Sequence, residues 1–201
     1  MDAYVKSSKQ PTIHNMKFHF KLDCGFNYHK HVRLHNLKSK CWGNYYTFKL
    51  ANKKKPAFSF FPKSKFVNVT GVANFDDITK TVSDFNILFD TCVDPNKVII
   101  DNITACGSFE EAARDNASLC KKRCKINLSN VRKLIIKQDE YKDINLSLYP
   151  LHFPGLVIRF PNKLPTCVLF SSGKFTIVGA KNADEIHKAY SKLCTVVMNI
   201  S

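Results

Sequence analysis

Apolar and polar residues alternate from Ile13 to Leu22: Met16, Phe18, Phe20 and Leu22 point one way and Asn15, Lys17, His19 and Lys21 the other. That period of two predicts a β-strand with one buried face and one polar, basic face. The same reading predicts an aromatic-rich strand over Trp42 to Leu50 and a strand from Phe58 after the basic turn Lys53 to Pro56. Further strands are expected over 65–70, 126–136, 153–160, 166–170 and 173–178. Helical spacing appears from Tyr28 to Lys38, after Gly71 and after Gly179, where Ile186, Ala189, Tyr190 and Leu193 recur on one face. Gln138 to Tyr149 reads as a short helical or irregular stretch.

These patterns occur twice. Gly71, Asn74, Asp76, Ile78 and Lys80 return at an offset of 108 as Gly179, Asn182, Asp184, Ile186 and Lys188, each copy following an alternating strand. The repeated unit is strand, glycine turn, helix, and so long a period implies two half-domains rather than a solenoid. Each half reads β-α-β-β-β-α, which gives an α+β fold: an open antiparallel sheet with helices on one face. The expected organisation is a mobile polar arm over 1–10, a first repeat over 11–89, an inter-repeat insertion over 90–122 and a second repeat over 123–201. The insertion is read as partly helical, with a helix starting near Ser108.

Charge then narrows the function. A chain of 201 residues with net charge +15 favours a polyanionic partner, because clustered Lys and Arg displace counterions from a phosphate backbone. No apolar run reaches the length of a membrane span and the N-terminus lacks a signal-peptide core, so an intracellular, non-membrane protein is expected. Eight cysteines in a reducing compartment are read as free thiols. Cys120 and Cys124 share a helical spacing but lack a second pair, and His29, His31 and His35 read as a basic surface, so no metal and no cofactor is expected. Asp76, Asp77, Asp184 and Glu185 stand at helix starts, where carboxylates cap amides, so they are read as caps and the chain as no enzyme.

One stretch carries a family resemblance. Phe153-Pro154-Gly155-Leu156, then Leu169-Phe170-Ser171-Ser172-Gly173-Lys174, then Gly179-Ala180-Lys181 resemble the second repeat of the TATA-box-binding protein core, with its F-P-G-L, L-I-F-x-S-G-K and T-G-A-K motifs. The 17-residue gap from Phe153 to Phe170 equals the family's spacing between two wedge phenylalanines. Pro11 to Met16 resembles the family's opening P-T-L-Q-N-I strand, and Val32 to His35 its V-A-L-H helix. The resemblance covers about residues 11–88 and 124–197.

It implies a pseudo-twofold saddle, one curved antiparallel sheet with helices on its convex face, that binds A/T-rich duplex DNA in the minor groove and nucleates a transcription initiation complex. By position the wedge residues are Phe153 and Phe170 in one half and Trp42 and Phe61 in the other. Gly43 replaces Trp42, or Phe60 replaces Phe61, if the gaps move. The groove lining is expected from Asn15, Val67, Val69, Val168, Thr176, Val178 and Asn127, with Asn130 the alternative to Asn127. Lys17, Lys49, Arg159, Lys174 and Lys181 are expected near phosphates. Lys17 and His19 depart from the family's small apolar groups. The implied partners are double-stranded DNA and general transcription factors or RNA polymerase subunits, with the protein monomeric on DNA. The expected compartment is a nucleus or viral transcription compartment, the latter suggested by the Lys-, Asn- and Phe-rich composition. A second reading keeps the fold as a protein-interaction scaffold with weak or non-specific nucleic-acid binding.

Overall fold

The computed structural model describes residues 5–23, 26–30, 39–49, 56–111 and 126–198. Ten strands are formed: β1 (Val5–Lys21), β2 (Ser39–Cys41), β3 (Tyr46–Lys49), β4 (Ala57–Phe61), β5 (Phe66–Val72), β6 (Ile99–Glu111), β7 (Asn145–Tyr149), β8 (Phe153–Arg159), β9 (Thr166–Phe170) and β10 (Lys174–Ala180). The described helices of more than one turn are α1 (Asp76–Phe89), α2 (Leu128–Ile136) and α3 (Ala183–Met198). The strands follow the order β2-β3-β4-β5-β1 in the first repeat and β6-β10-β9-β8-β7 in the second. The chain forms two compact units, Ile13–Ile103 and Thr104–Ser201 with Met1–Thr12.

The α+β expectation holds, but each repeat has one strand more than the sequence pattern indicated. In the first, β2 precedes the stretch read as a strand from Trp42, which holds a turn and β3; in the second, β7 fills part of the stretch read as irregular. Three boundaries are corrected. Residues 5–10 belong to β1 rather than to a separate arm. The span read as an insertion contains β6, in which Ile103, Ala105 and Phe109 are buried in alternation, so Ser108 lies in a strand. Residues 126–136 are helical: Leu128, Val131 and Ile135 are buried at helical spacing, and Asn127 caps the start by accepting from Asn130 N–H at 3.1 Å. The Ile-rich end of that helix imitates a strand because Leu134 and Ile136 remain exposed. Residues 31–38, 50–55 and 112–125, with His31, His35, Cys120 and Cys124, lie outside the described residues.

In the first unit α1 packs on a core made mostly of rings. Phe85 is fully buried, with ring centroids 4.5 Å from Phe89, 5.1 Å from Phe20 and 5.7 Å from Phe58. In the second unit Phe175 stacks on Tyr190 of α3 at 5.6 Å and lies 5.1 Å from Phe109. Gly107 is what admits that ring, since any Cβ there would run into Phe175. Phe20 is opposite Val67 in the first unit, so the two copies exchange large and small residues while filling the same layer.

The repeated motif folds the same way in both copies. Gly71 and Gly179 have φ of +95° and +102°, a conformation that side chains resist. Just before each helix, Asn74 and Asn182 accept from the N–H of Asp77 and Glu185 at 2.8 and 2.9 Å, and those carboxylates accept back from the Asn amides. Asp77 and Glu185 thus act as helix-start partners, as their position implied. Asn182→Ala removes this cap and is expected to cost about 1 kcal/mol. The expected fall in Tm by scanning calorimetry is about 2–4 °C at this chain length.

Candidate nucleic-acid interface

Sheet registers assign the face turned away from the helices. In the first unit Thr47 pairs with Ser59, Ser59 with Asn68, and Asn68 with His19, forming one row across four strands. The next row runs Lys49, Ala57, Thr70 and Lys17. In the second unit the corresponding row runs Ser147, Val157, Val168 and Thr176, and Thr176 Oγ1 lies 3.7 Å from Cys106 Sγ. Val178 pairs with Thr166 and is 37% exposed.

Val67 and Val69 do not line this face. Both are fully buried against the helix side, as are their offset-108 counterparts Phe175 and Ile177. The residues that match Thr176 and Val178 are Asn68 and Thr70, one step along the strand. A one-residue shift reverses the face in a strand, so the outward parity here is that of Asn68 and Thr70.

Asn15 is held on β1 with its Oδ1 accepting from Gly71 N–H at 2.8 Å, where Met16 pairs with Val72 and Lys17 with Thr70, so that Gly71 bulges. That bond fixes the carboxamide and leaves Nδ2 as its donor group. Asn127 and Asn130 belong to the start of α2 and sit off the sheet, which corrects the expectation for the second half. The counterpart of Asn15 is Asn102. Leu22 N–H donates to Lys65 O at 2.9 Å and Phe109 N–H to Gly173 O at 2.9 Å, which makes β6 the copy of β1 at an offset of 87. The signal was present in the sequence as Ile13-His14-Asn15-Met16 against Ile100-Asp101-Asn102-Ile103.

Each unit carries one aromatic pair at this face. Phe153, 41% exposed, meets Phe170 at 6.0 Å with rings inclined by 61°. Gly155 makes room for it: a Cβ there would lie 2.7 Å from Val168 and 2.8 Å from Phe153. In the first unit Phe61 stacks on Tyr45 at 5.1 Å and 22°, while Phe60 is buried on the opposite side with Tyr28. Trp42 is corrected here. It lies in the β2–β3 turn, where its Nε1–H donates to Thr47 Oγ1 at 3.0 Å, and its ring is not the one stacked on Phe61. The registers align Gly43-Asn44-Tyr45 with Phe153-Pro154-Gly155, so glycine and aromatic have exchanged places and a ring still covers the second wedge position.

The cations surround these rows. Lys49 and Arg159 are corresponding, exposed ends of β3 and β8, and Arg159 reaches Ser147 Oγ at 3.4 Å. Lys174 and Lys181 are exposed at the start of β10 and just beyond its end. Lys17 Nζ is 3.9 Å from Asp101, whose other oxygen is 2.9 Å from His19 Nδ1. His19 also meets the Phe66 ring edge-on at 5.2 Å. Among the described residues no cluster of three His, Cys, Asp or Glu is placed to hold a metal, and no helix is long and apolar enough to cross a membrane.

Residues 115–200 match the family model described as transcription factor TFIID, or TATA-binding protein, TBP. The TATA-box-binding protein of Picrophilus torridus is 32% identical over 146 residues, covering 69% of this chain and 67% of the relative. That of Thermoplasma acidophilum is 29% identical over 147 residues, with the same coverage of 69% and 67%. The solved structure of Methanococcus jannaschii TBP matches with a TM-score of 0.68 at 20% identity, covering 95% of this chain and 99% of that one, which shows a shared fold. Two independently paired ring sets, a repeated glycine-helix motif and this sequence identity converge: the chain belongs to the TATA-box-binding protein family.

Proposed function

We propose that this protein is a DNA-binding transcription factor whose two units lay their sheet faces against the minor groove of A/T-rich duplex DNA. Each unit inserts a ring pair at a base step, Phe153 with Phe170 and Tyr45 with Phe61. The observation that carries the reading is the second pair, kept at the face although its residues have moved in sequence. Intercalating rings unstack a step at a cost of about a few kcal/mol, offset by the surface that bent DNA brings into contact. Asn15 Nδ2 and its counterpart in Asn102 suit the acceptor-only edges of A·T pairs. The bound duplex positions general transcription factors or polymerase subunits, in whichever compartment, nuclear or viral, holds the template, with one copy of the chain per site.

The test is binding and bending of A/T-rich against G/C-rich duplexes over a salt series. Bending with A/T preference supports the reading, while tight, composition-blind binding without bending makes the protein a basic platform instead. The cations set a further expectation. If Lys17, Lys49, Arg159, Lys174 and Lys181 all meet phosphates, log K falls with log salt at a slope of about −4 to −5. Lys174→Ala should weaken all duplexes alike and reduce that slope by about 1. An unchanged slope removes Lys174 from the phosphate set.

A further inference from the structure

The two faces differ in chemistry at matching positions. Ser59 and Asn68 in the first unit stand where the second unit has Val168 and Thr176, and Thr47 stands where it has Val157. His19, held by Asp101, stands at the position of Cys106. Resting on the function proposed above, we propose that the two units read different half-sites: the second takes only A·T pairs, whereas the first accepts a G·C pair through Ser59 and Asn68.

The minor-groove floor of A·T pairs presents only acceptors, and G·C adds one donor, the guanine N2 amino group. In the second unit Val157 and Val168 can neither accept from that amino group nor accommodate it without desolvating it, so G·C is penalised opposite them. Ser59 Oγ and Asn68 Oδ1 are acceptors and can satisfy the amino group when it lies opposite them. Because the protein can turn end for end on a duplex, it places its tolerant unit on whichever half holds the G·C pair.

The experiment compares three duplexes with wild-type protein: all A/T, one G·C pair in one half, and one in each half. The expected loss of affinity is at most about 3-fold for the single G·C and about 5- to 150-fold for two, because a mismatched pair costs about 1–3 kcal/mol when no unit can satisfy it. Replacing guanine by inosine, which lacks the N2 amino group, should restore the doubly substituted duplex. Ser59→Val with Asn68→Thr installs the second unit's own residues at half-exposed strand positions and should make a single G·C as costly as about 10-fold or more. Equal losses from each G·C in wild type, or tolerance unchanged in the variant, overturn the inference. Failure to bind or bend the all-A/T duplex would instead overturn the function on which it rests.

Discussion

Phe153→Ala with Phe170→Ala is expected to abolish bending at one end of the duplex and to weaken A/T binding by at least about 30-fold. Stacking of a base on an aromatic ring is worth about 1–3 kcal/mol on alanine substitution, and this variant removes two rings from one step. The change is not expected to unfold the protein, since Phe153 is 41% exposed and Phe170 only half-buried. Fluorescence energy transfer across an end-labelled duplex reads the bend directly, and circular dichroism checks the fold. The first unit gives a sharper contrast. Tyr45→Ala with Phe61→Ala should remove the other bend, whereas Trp42→Ala should leave it, because Tyr45 and not Trp42 is the ring that covers Phe61. A bend that survives both double variants rejects ring insertion.

The strands and helices with one-sided burial were legible because burial writes a period into the sequence. β9, α3 and the later part of β1 fall where the alternation or the helical spacing placed them. The site was legible only in part, because a face that must meet a ligand is not marked by hydrophobicity. Val67 and Val69, expected in the groove lining, belong to the core, and the outward residues of that strand are Asn68 and Thr70. Asn127 was chosen by spacing alone, and its helix N-cap role uses the same acceptor chemistry that made it attractive. Asn102 was hidden because β6 lies at an offset of 87 rather than 108, so the two parts of the repeat do not share one gap. Tyr45 was hidden for a different reason: a glycine and a ring exchanged positions, and only cross-strand register reveals that the same space is filled. The family resemblance located the second-half ring pair, where the motif is intact, and failed where compensating substitutions had moved the side chains.

Phe85→Ala is expected to be the most damaging single substitution outside the proposed DNA-binding face, at about 3–5 kcal/mol. Phe85 is fully buried and lies within 6.5 Å, centroid to centroid, of five other rings, those of Phe20, Phe26, Phe48, Phe58 and Phe89. Rigid rings on strands and helix cannot collapse into the cavity as flexible side chains do, so the cost falls at the high end of its range. At about 2–4 °C per kcal/mol for a chain of this size, Tm should fall by about 6–20 °C. Phe85 packs from α1 onto Phe20, Phe48 and Phe58, on the covered side of the sheet, so well below that Tm the variant should bind an A/T duplex with near-wild-type affinity. A drop smaller than about 3 °C would mean that the ring cluster relaxes around the gap. Lost binding with the fold intact would mean that Phe85 sets the geometry of β1, β4 and β5, and through them the row of Ser59, Asn68 and His19 proposed to meet the groove.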